Sequence, residues 1–419
     1  MMVNRVKELA RLGQSIWYDN ISRHLLASGG LHALIDDGLL GMTSNPTIFE
    51  KAIAGSSDYD EDIRRLTQSG ASATDIYDAL TIDDVGRAAD EFRRVYDQTD
   101  GADGYVSIEV APTLAHDPGG TVAEARQLWR TLDRPNILIK VPATRPGLGA
   151  IEQLLSEGIN INITLMFSMT HYEAVAEAHI RGLERRAAAN QPVDRVASVA
   201  SFFVSRVDTM VDARLEVIVR AEGPNAGPAA SLMGKAAVAN SQLVYERFRQ
   251  IYDGPRFAAL KARGARLQRA LWASTSTKNP KYSDTLYVDT LIGPDTVNTV
   301  PPETYAATQD HGFVRRTVDQ DMDVARRVVS DLARLGIDLN EVGERLSVEG
   351  VDKFTGSFQS ALAAIAAKRE AVMAAMPAHK KAPAKKTVTR RKPAAKKPAT
   401  RKATAKKKPA AKKTVRRKK

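Results

Sequence analysis

One lysine of this chain lies inside an apolar run, where a charged side chain is unexpected. Lys140 occurs in the run 136-NILIKVPA, near its end. Apolar surroundings favour the uncharged form of an amine, and a neutral lysine amine can attack a carbonyl carbon. The alternative is an ordinary strand-end lysine whose ammonium group extends to solvent. The run therefore indicates either a nucleophile that forms an imine or a structural lysine.

Two carboxylates, Asp19 and Glu109, also occur at the ends of apolar runs. A pair of carboxyl groups can divide general acid and base work when their surroundings separate their pKa values. They can equally be structural partners of Lys140 and Arg206. The seven histidines form no H-E-x-x-H or H-x-H arrangement at a strand end, and the chain has no cysteine. We therefore expect no catalytic metal, no iron–sulfur cluster, no disulfide and no bound cofactor.

Three uncharged polar residues also occur near the ends of apolar runs. Asn45, Asn162 and Thr164 could donate hydrogen bonds to a hydroxyl-rich ligand such as a sugar, although Asn45-Pro46 also suits a simple turn after a strand. The i, i+2 spacing of Asn162 and Thr164 predicts that both face the same side of a strand. An inward-facing asparagine in a strand requires a polar partner or a function.

A third group of residues could bind an anion such as a phosphate group. Ser201 precedes a predicted helix, and Arg206 lies in the first turn of that helix, where backbone amides and the helix dipole already favour a phosphate. Arginine adds paired donors, and Lys278 could add a point charge. For Lys278, a solvated surface position is the alternative.

These residues lie at the ends of short β-branched runs that alternate with helical patterns. Such alternation predicts parallel βαβ units, either as a closed barrel or as an open doubly wound sheet. No G-x-G-x-x-G follows the first run and no P-loop motif occurs, so dinucleotide and P-loop binding lose their main support. The count of eight runs, with reactive residues at the ends of many of them, favours a (β/α)8 barrel. The predicted strands are 15-SIWYDNI, 41-GMTSNP, 104-GYVSIEV, 136-NILIKVPA, 160-NINITLMF, 196-VASVASFFV, 270-ALWASTST and the weaker 296-TVNTVP.

Helical periodicity connects and follows these strands. Thr121 and Thr170 each precede a glutamate by three residues, which predicts capping boxes at two helix starts, and Ser205 is a predicted cap for a third. The predicted helices are 122–132, 171–188, 206–221, 226–250, 313–336 and 355–376.

The net charge of +12 is unevenly distributed. Twenty of the 61 basic residues lie in 380–419, which has no acidic or aromatic residue, so 1–379 holds 41 basic against 49 acidic residues. We predict a barrel domain over 1–376 and a disordered tail over 377–419. The tail could bind nucleic acid or another polyanion without reading sequence, or could be a solvated segment. No signal sequence or membrane-spanning run is predicted, which indicates a cytoplasmic protein.

The same residues carry a resemblance to the transaldolase family. The chain resembles its longer bacterial form over roughly 5–370, and the block around Lys140 is the most specific. The segments that carry the resemblance are 41-GMTSNPTIF, 107-SIEV, 137-ILIKVPATRPGLGAIEQL, 160-NINITLMFS, 198-SVASFFVSRVD, 235-KAAVAN and 270-ALWASTSTKNPKYSDTLYV. The basic tail is not part of the family pattern. The resemblance implies a class I aldolase-type (β/α)8 barrel, with extra C-terminal helices, that uses no metal.

The resemblance also implies catalytic roles. Lys140 matches the lysine that forms the Schiff base with a ketose phosphate, and Asp19 matches the general acid and base. Glu109 and Thr164 match the pair that holds a catalytic water. The positions that match substrate-binding residues are Thr43, Asn45, Asn162, Ser201, Arg206 and Lys278. Lys278 stands where the shorter form has an arginine, so the charge is kept without the paired donors.

The implied reaction moves a dihydroxyacetone unit from sedoheptulose 7-phosphate or fructose 6-phosphate to an aldose phosphate, in the pentose phosphate pathway. One alternative is a related Schiff-base aldolase that releases free dihydroxyacetone. The other is a polyanion-binding protein in which the barrel activity is secondary.

Overall fold

Eight parallel strands close into a barrel in the computed structural model, which describes residues 4–375. Neighbours in the barrel follow chain order, and the last strand pairs with the first. The strands are β1 (Gln14–Tyr18), β2 (Gly41–Met42), β3 (Tyr105–Glu109), β4 (Ile137–Pro142), β5 (Ile161–Met166), β6 (Ser198–Phe203), β7 (Arg269–Ala273) and β8 (Thr296–Val300). The existence and order of the eight predicted strands and the barrel are thus confirmed, and the open sheet is excluded. The predicted strand 41-GMTSNP is shorter than expected, because only Gly41 and Met42 are strand and Pro46 begins a helix.

Helices cover the outer face of the barrel and continue beyond its last strand. A short 3₁₀ helix, Pro112–Leu114, follows β3. The α-helices are α1 (Arg5–Arg11), α2 (Arg23–Ala27), α3 (Gly30–Asp36), α4 (Pro46–Ala54), α5 (Asp60–Gln68), α6 (Ala73–Gln98), α7 (Pro118–Leu132), α8 (Arg145–Glu157), α9 (Met169–Ala188), α10 (Ser205–Arg220), α11 (Ala226–Leu232), α12 (Ala236–Tyr252), α13 (Pro255–Lys261), α14 (Leu286–Asp289), α15 (Pro302–His311), α16 (Met322–Arg334) and α17 (Leu339–Ala375).

The predicted helix starts were partly wrong. Asp117 caps α7 by accepting from Gly120 N, and Ser168 caps α9 by accepting from His171 N, so neither helix begins at a threonine capping box. No side chain caps α10, because the helix begins at Ser205 itself and Val204 occupies the cap position; the Ser205 hydroxyl lies 3.0 Å from that of Ser274. These errors arise because a nearer Asp or Ser, or a tertiary partner, satisfies the amide groups first.

The predicted helix 226–250 is two helices, α11 and α12. Gly234 separates them with φ of +69°, a left-handed conformation that glycine adopts without strain. A Cβ at this position would lie 2.6 Å from the Tyr282 ring, and Gly234 N donates to Asp212 Oδ1 at 2.9 Å. Tertiary contacts therefore override the continuous helical pattern.

The C-terminal helices also differ from their predicted bounds. Residues 313–321 are not helical: the amides of Thr317 and Val318 donate to the carbonyl of Ile292 at 2.9 and 3.0 Å, which holds this segment against the loop before β8. In contrast, α17 begins at Leu339, well before the predicted residue 355, and contains 37 residues. It packs against α4, α5, α6 and α10.

Strand register brings three of the predicted site residues side by side. Lys140 in β4 pairs with Glu109 in β3 on one side and with Asn162 in β5 on the other. Alternation along β4 turns Ile137, Ile139 and Val141 toward the surrounding helices, where they are buried. Lys140 is thereby turned to the barrel interior.

The predicted tail over 377–419 lies outside the described residues, as does the boundary at 376. Within 4–375, no helix combines the length and apolar character that crossing a membrane requires.

Candidate active site

Lys140 is buried at the carboxyl end of β4. Its side chain is 5% exposed, and that of Glu109 is 3% exposed. Lys140 Nζ lies 3.4 Å from Glu109 Oε2 and donates to the backbone carbonyl of Ser44 at 2.9 Å. The lysine therefore does not extend to solvent, and its nitrogen is held between β3 and the segment after β2.

Asp19 follows β1 directly and belongs to a chain of hydroxyl groups. Its amide donates to the Val300 carbonyl at 2.8 Å, which fixes its backbone next to β8. Thr43 Oγ1 donates to Asp19 Oδ1 at 2.7 Å and lies 2.7 Å from Thr299 Oγ1. Because the Thr43 hydroxyl has one proton, Thr299 donates to Thr43 when Thr43 donates to Asp19.

Both carboxyl groups have altered acidity. Burial raises the pKa of Asp19, and the nearby charge of Lys140 and the hydrogen bond from Thr43 oppose this effect. Burial also raises the pKa of Glu109, again opposed by Lys140. Carboxyl groups with raised pKa values are better suited to exchange protons near neutral pH.

Glu109 and Thr164 are buried with unused hydrogen-bonding capacity. Neither carboxylate oxygen of Glu109, nor Thr164 Oγ1, has a hydrogen-bond partner among residues 4–375. Thr164 lies at an irregularity of β5, where the register shifts between Ile163 and Met166 and Leu165 adopts φ of +61°. A left-handed leucine inside a strand is strained, which is common at functional sites.

A cavity of about 240 Å³ opens at the carboxyl ends of the strands. It brings together eight of the ten predicted site residues, and the residues that contribute are Asp19, Thr43, Asn45, Lys140, Thr164, Ser201, Arg206 and Lys278. Glu109 instead lines a neighbouring cleft of about 410 Å³ between α4, α6 and α7. Among the residues described, no group of three or more His, Asp or Glu side chains could hold a metal ion.

The side chains of Asn45 and Asn162 both form hydrogen bonds within the protein, which the sequence did not decide. Asn162 is fully buried, with its Nδ2 donating to Ser107 Oγ at 3.0 Å and its Oδ1 accepting from Ser201 Oγ at 2.6 Å. Asn45 caps α4, since its Oδ1 accepts from Ile48 N at 3.1 Å. Its side-chain NH₂ group remains available to the cavity that it lines.

The predicted cations lie at the more open part of the cavity. Arg206 is the second residue of α10, and its guanidinium carbon lies 5.2 Å from the Phe203 ring and 5.9 Å from the Phe354 ring. Lys278 follows β7 by five residues and donates to Ser276 Oγ. Burial lowers the pKa of both Arg206 and Lys278.

Sequence reasoning missed seven polar residues that line this cavity, and three of them, Thr299, Lys51 and Lys353, bear on its chemistry. Thr299 lies in the weak eighth strand, and its position near that strand's end could have identified it. Lys51 is in α4 and Lys353 in α17. No local pattern distinguishes these two from surface lysines, because helix packing alone brings them to the cavity.

Comparison with known proteins agrees with this geometry. Residues 16–365 match the family described as transaldolase/fructose-6-phosphate aldolase, and the chain belongs to this family. A transaldolase of Thiobacillus denitrificans is 48% identical over 87% of this chain and 100% of its own length. Transaldolases of Acidothermus cellulolyticus and Trichodesmium erythraeum are 49% and 44% identical, each over 88% of this chain and 98% of theirs.

Proposed function

We propose that this enzyme transfers a dihydroxyacetone unit from a ketose phosphate to an aldose phosphate through a Schiff base on Lys140. Sedoheptulose 7-phosphate and fructose 6-phosphate are the donors, and glyceraldehyde 3-phosphate and erythrose 4-phosphate are the acceptors. The observation that carries this proposal is the buried Lys140 amine, 3.4 Å from Glu109 and in the same cavity as Asp19.

Imine formation requires a nucleophile and a route for one water molecule. The neutral amine of Lys140 adds to the ketone carbon, and the carbinolamine then loses its hydroxyl as water with a proton from Glu109. The unpaired oxygens of Glu109 and Thr164 support the role of these residues as the holders of this water, because buried polar atoms take water as a partner where protein offers none.

Carbon–carbon cleavage requires a base and an electron sink. Asp19 accepts the proton of the C4 hydroxyl, the C3–C4 bond breaks, and its electron pair passes to the iminium nitrogen to give an enamine. The aldose phosphate leaves. When the acceptor arrives, the enamine carbon attacks its aldehyde, Asp19 returns the proton to the new C4 oxygen, and water hydrolyses the iminium.

The remaining residues position the substrate. Thr43 orients Asp19 through their hydrogen bond of 2.7 Å, and Asn45 binds the dihydroxyacetone portion. Asn162 is fully buried and does not line the cavity, so it must turn its amide from Ser107 or Ser201 to bind the same portion. Ser201, Arg206 and Lys278 bind the phosphate at the amino end of α10, where no side chain caps the helix. Binding the phosphate at a distance holds the reacting carbon in place.

Borohydride trapping tests the proposal directly. Incubation with fructose 6-phosphate and borohydride is expected to add a reduced dihydroxyacetone or hexose adduct to the peptide that contains Lys140. Lys140→Ala should abolish both the adduct and transfer in a coupled assay, whereas Lys261→Ala, a change at an exposed lysine, should retain both. An adduct on another lysine would contradict the assignment.

An aldolase that releases free dihydroxyacetone is the alternative within this family. It would use the same imine but hydrolyse it without an acceptor. The curated relatives compared above are all named transaldolase, which favours transfer. A kinetic assay with and without erythrose 4-phosphate separates the two, because a transferase depends on the acceptor.

We propose a second, separate role for residues 380–419, which is binding of nucleic acid or another polyanion. The supporting observation is 20 basic and no acidic residues in this segment. Truncation after residue 376 is expected to weaken binding to duplex DNA and to reduce the salt dependence of that binding. Unchanged binding would contradict the proposal, and transferase activity serves as the folding control.

We also propose a cytoplasmic location. Sugar phosphates carry charges that a bilayer does not pass, so the enzyme must share a compartment with the pathway that makes them. Cell fractionation with an antibody against this chain tests the location, and the chain is expected in the cytoplasmic fraction.

A further inference from the structure

Four basic side chains surround the open part of the cavity, and we name this group the cationic rim. It consists of Lys51, Arg206, Lys278 and Lys353. The cavity lining contains only two carboxylates, Asp19 and Glu303. None of the four rim residues forms an ion pair within 4.0 Å with a carboxylate of residues 4–375, although Arg side chains elsewhere on this protein are commonly paired.

The rim residues are close enough to affect one another. Burial lowers the pKa of Lys353, and the charges of Arg206 and Lys51 lower it further. Burial lowers the pKa of Lys278, the charge of Glu303 opposes this effect, and Lys353 and Arg206 lower the pKa further. Asp19, Glu303 and Glu349 offset part of the repulsion between these like charges without forming ion pairs with them, and an anion that binds between the four cations stabilises their arrangement further.

Helix packing, rather than the barrel loops, brings two of these lysines to the cavity. The hydroxyl groups of Thr47 in α4 and Ser357 in α17 lie 2.8 Å apart. Lys51 is one turn after Thr47, and Lys353 is one turn before Ser357. Residues separated by one turn share a helix face, so this contact turns both lysines toward the cavity that they line.

Further contacts hold α17 in this position. Lys368 Nζ donates to the carbonyls of Ile53 and Ser56 at 3.1 and 2.9 Å, which joins α17 to the end of α4. Phe354, next to Lys353, is buried against the guanidinium group of Arg206. The helix therefore supports Arg206 as well as carrying a cation of its own.

We propose that Lys353 of α17 and Lys51 of α4 bind the phosphate group of the sugar substrate together with Arg206 and Lys278. This inference rests on the proposed function and adds two residues to its phosphate site. It makes the C-terminal helix a determinant of selectivity for phosphorylated over unphosphorylated sugars. The cavity lining holds these four cations and Lys140 against two carboxylates, Asp19 and Glu303, so its basic groups outnumber its acidic groups, which favours a phosphate dianion.

Inorganic phosphate is the probe that tests this proposal. In the full-length enzyme, Lys353→Met should raise the inhibition constant of phosphate and the KM for fructose 6-phosphate by about three- to tenfold, as expected for one partly solvated charge. Lys51→Met combined with Lys353→Met should increase both effects. Methionine keeps much of the aliphatic stem, so packing changes little.

The matched control is Lys261→Met, at an exposed helical lysine that lines a different cavity, beside Ser15 and Asp103. It should leave phosphate inhibition unchanged. Turnover of unphosphorylated fructose should change less than twofold in every variant. The proposal is overturned if phosphate inhibits Lys353→Met and the double variant as strongly as it inhibits the wild type. It is also overturned if these variants lose fructose turnover to the same degree as fructose 6-phosphate turnover.

Borohydride trapping in the same variants separates this inference from the proposed function. Wild-type enzyme that forms no adduct on Lys140 would contradict the Schiff-base chemistry itself. An adduct in all variants, combined with unchanged phosphate inhibition, would contradict only the roles of Lys51 and Lys353.

Discussion

The two ends of the cavity are built in different ways. The buried end (Asp19, Lys140 and Thr164, with Glu109 next to Lys140 but lining the neighbouring cleft) comes from strands or from residues directly after them. The cationic rim comes from the helices α4, α10 and α17 and one loop, and includes exposed side chains.

This difference follows from what each end must do. Proton transfer and attack on carbon require atoms at defined distances, which rigid strand ends supply. Attraction of a phosphate acts over a longer range and tolerates flexible side chains. Mutations at the buried end should therefore lower turnover for every substrate, whereas mutations at the rim should act only on phosphorylated substrates.

The largest effect is expected for Asp19→Asn. Loss of the base should lower kcat by about 10² to 10⁴, equally for fructose 6-phosphate and for fructose, because proton transfer is common to both. Borohydride should still trap the adduct on Lys140. Wild-type turnover by this variant would show that Asp19 is not the base.

A smaller and selective effect is expected for Arg206→Met. Removal of charged hydrogen bonds to phosphate costs about 1.5–3 kcal/mol, so kcat/KM for fructose 6-phosphate should fall about 10- to 150-fold. The value for fructose should change little. Arg220→Met, on the same helix, is the control, since that arginine is exposed and pairs with Glu216. An equal loss of kcat/KM for fructose 6-phosphate and fructose would contradict the different roles of the buried end and the rim.

Thr43→Val should change the pH profile as well as the rate. The Thr43 hydrogen bond stabilises the Asp19 carboxylate and lowers its pKa, so its loss should raise that pKa further. Asp19 then becomes protonated at a higher pH, so the acidic limb of the pH profile of kcat should move to higher pH. The value of kcat at neutral pH should fall about 2- to 10-fold.

Thr299→Val is the comparison for this effect. Thr299 reaches Asp19 only through Thr43, so its removal should move the acidic limb less. If the acidic limb of Thr43→Val moved to lower pH, the Thr43 hydroxyl would be stabilising the protonated form of Asp19.

The smallest kinetic effect is expected for Gly343→Ala, which tests the docking of α17. An added Cβ would lie 2.6 Å from Ser168 Cβ, so the helix or the loop before α9 must shift. Such overpacking should lower the free energy of unfolding by about 1–3 kcal/mol, measured by urea titration. The ratio of activities on phosphorylated and unphosphorylated sugars should change only if the shift extends to Lys353.

Prediction from sequence succeeded where a pattern is local. The alternating runs located the eight strands, with Lys140 and Glu109 inside their strands and Asp19 directly after its strand, while the roles of these residues stay predictions. It failed where two distant segments meet. The break between α11 and α12 depends on Tyr282. The early start of α17 was missed although it has a local signal, because Asp338 precedes Leu339 and its Oδ1 accepts from Asn340 N at 2.9 Å.

The sequence by itself determined the eight strands, the family and the basic segment at 380–419, because periodicity, motifs and charge are properties of consecutive residues. Only the tertiary structure decided that Lys140 lies beside Glu109, that Thr299 completes the hydroxyl chain to Asp19, and that the cationic rim includes Lys51 and Lys353. Barrel closure brings Thr43 to Thr299, 256 positions away, and the packing of α17 on α4 brings Thr47 to Ser357, 310 positions away. Such contacts depend on chain topology and side-chain packing, which no local pattern encodes.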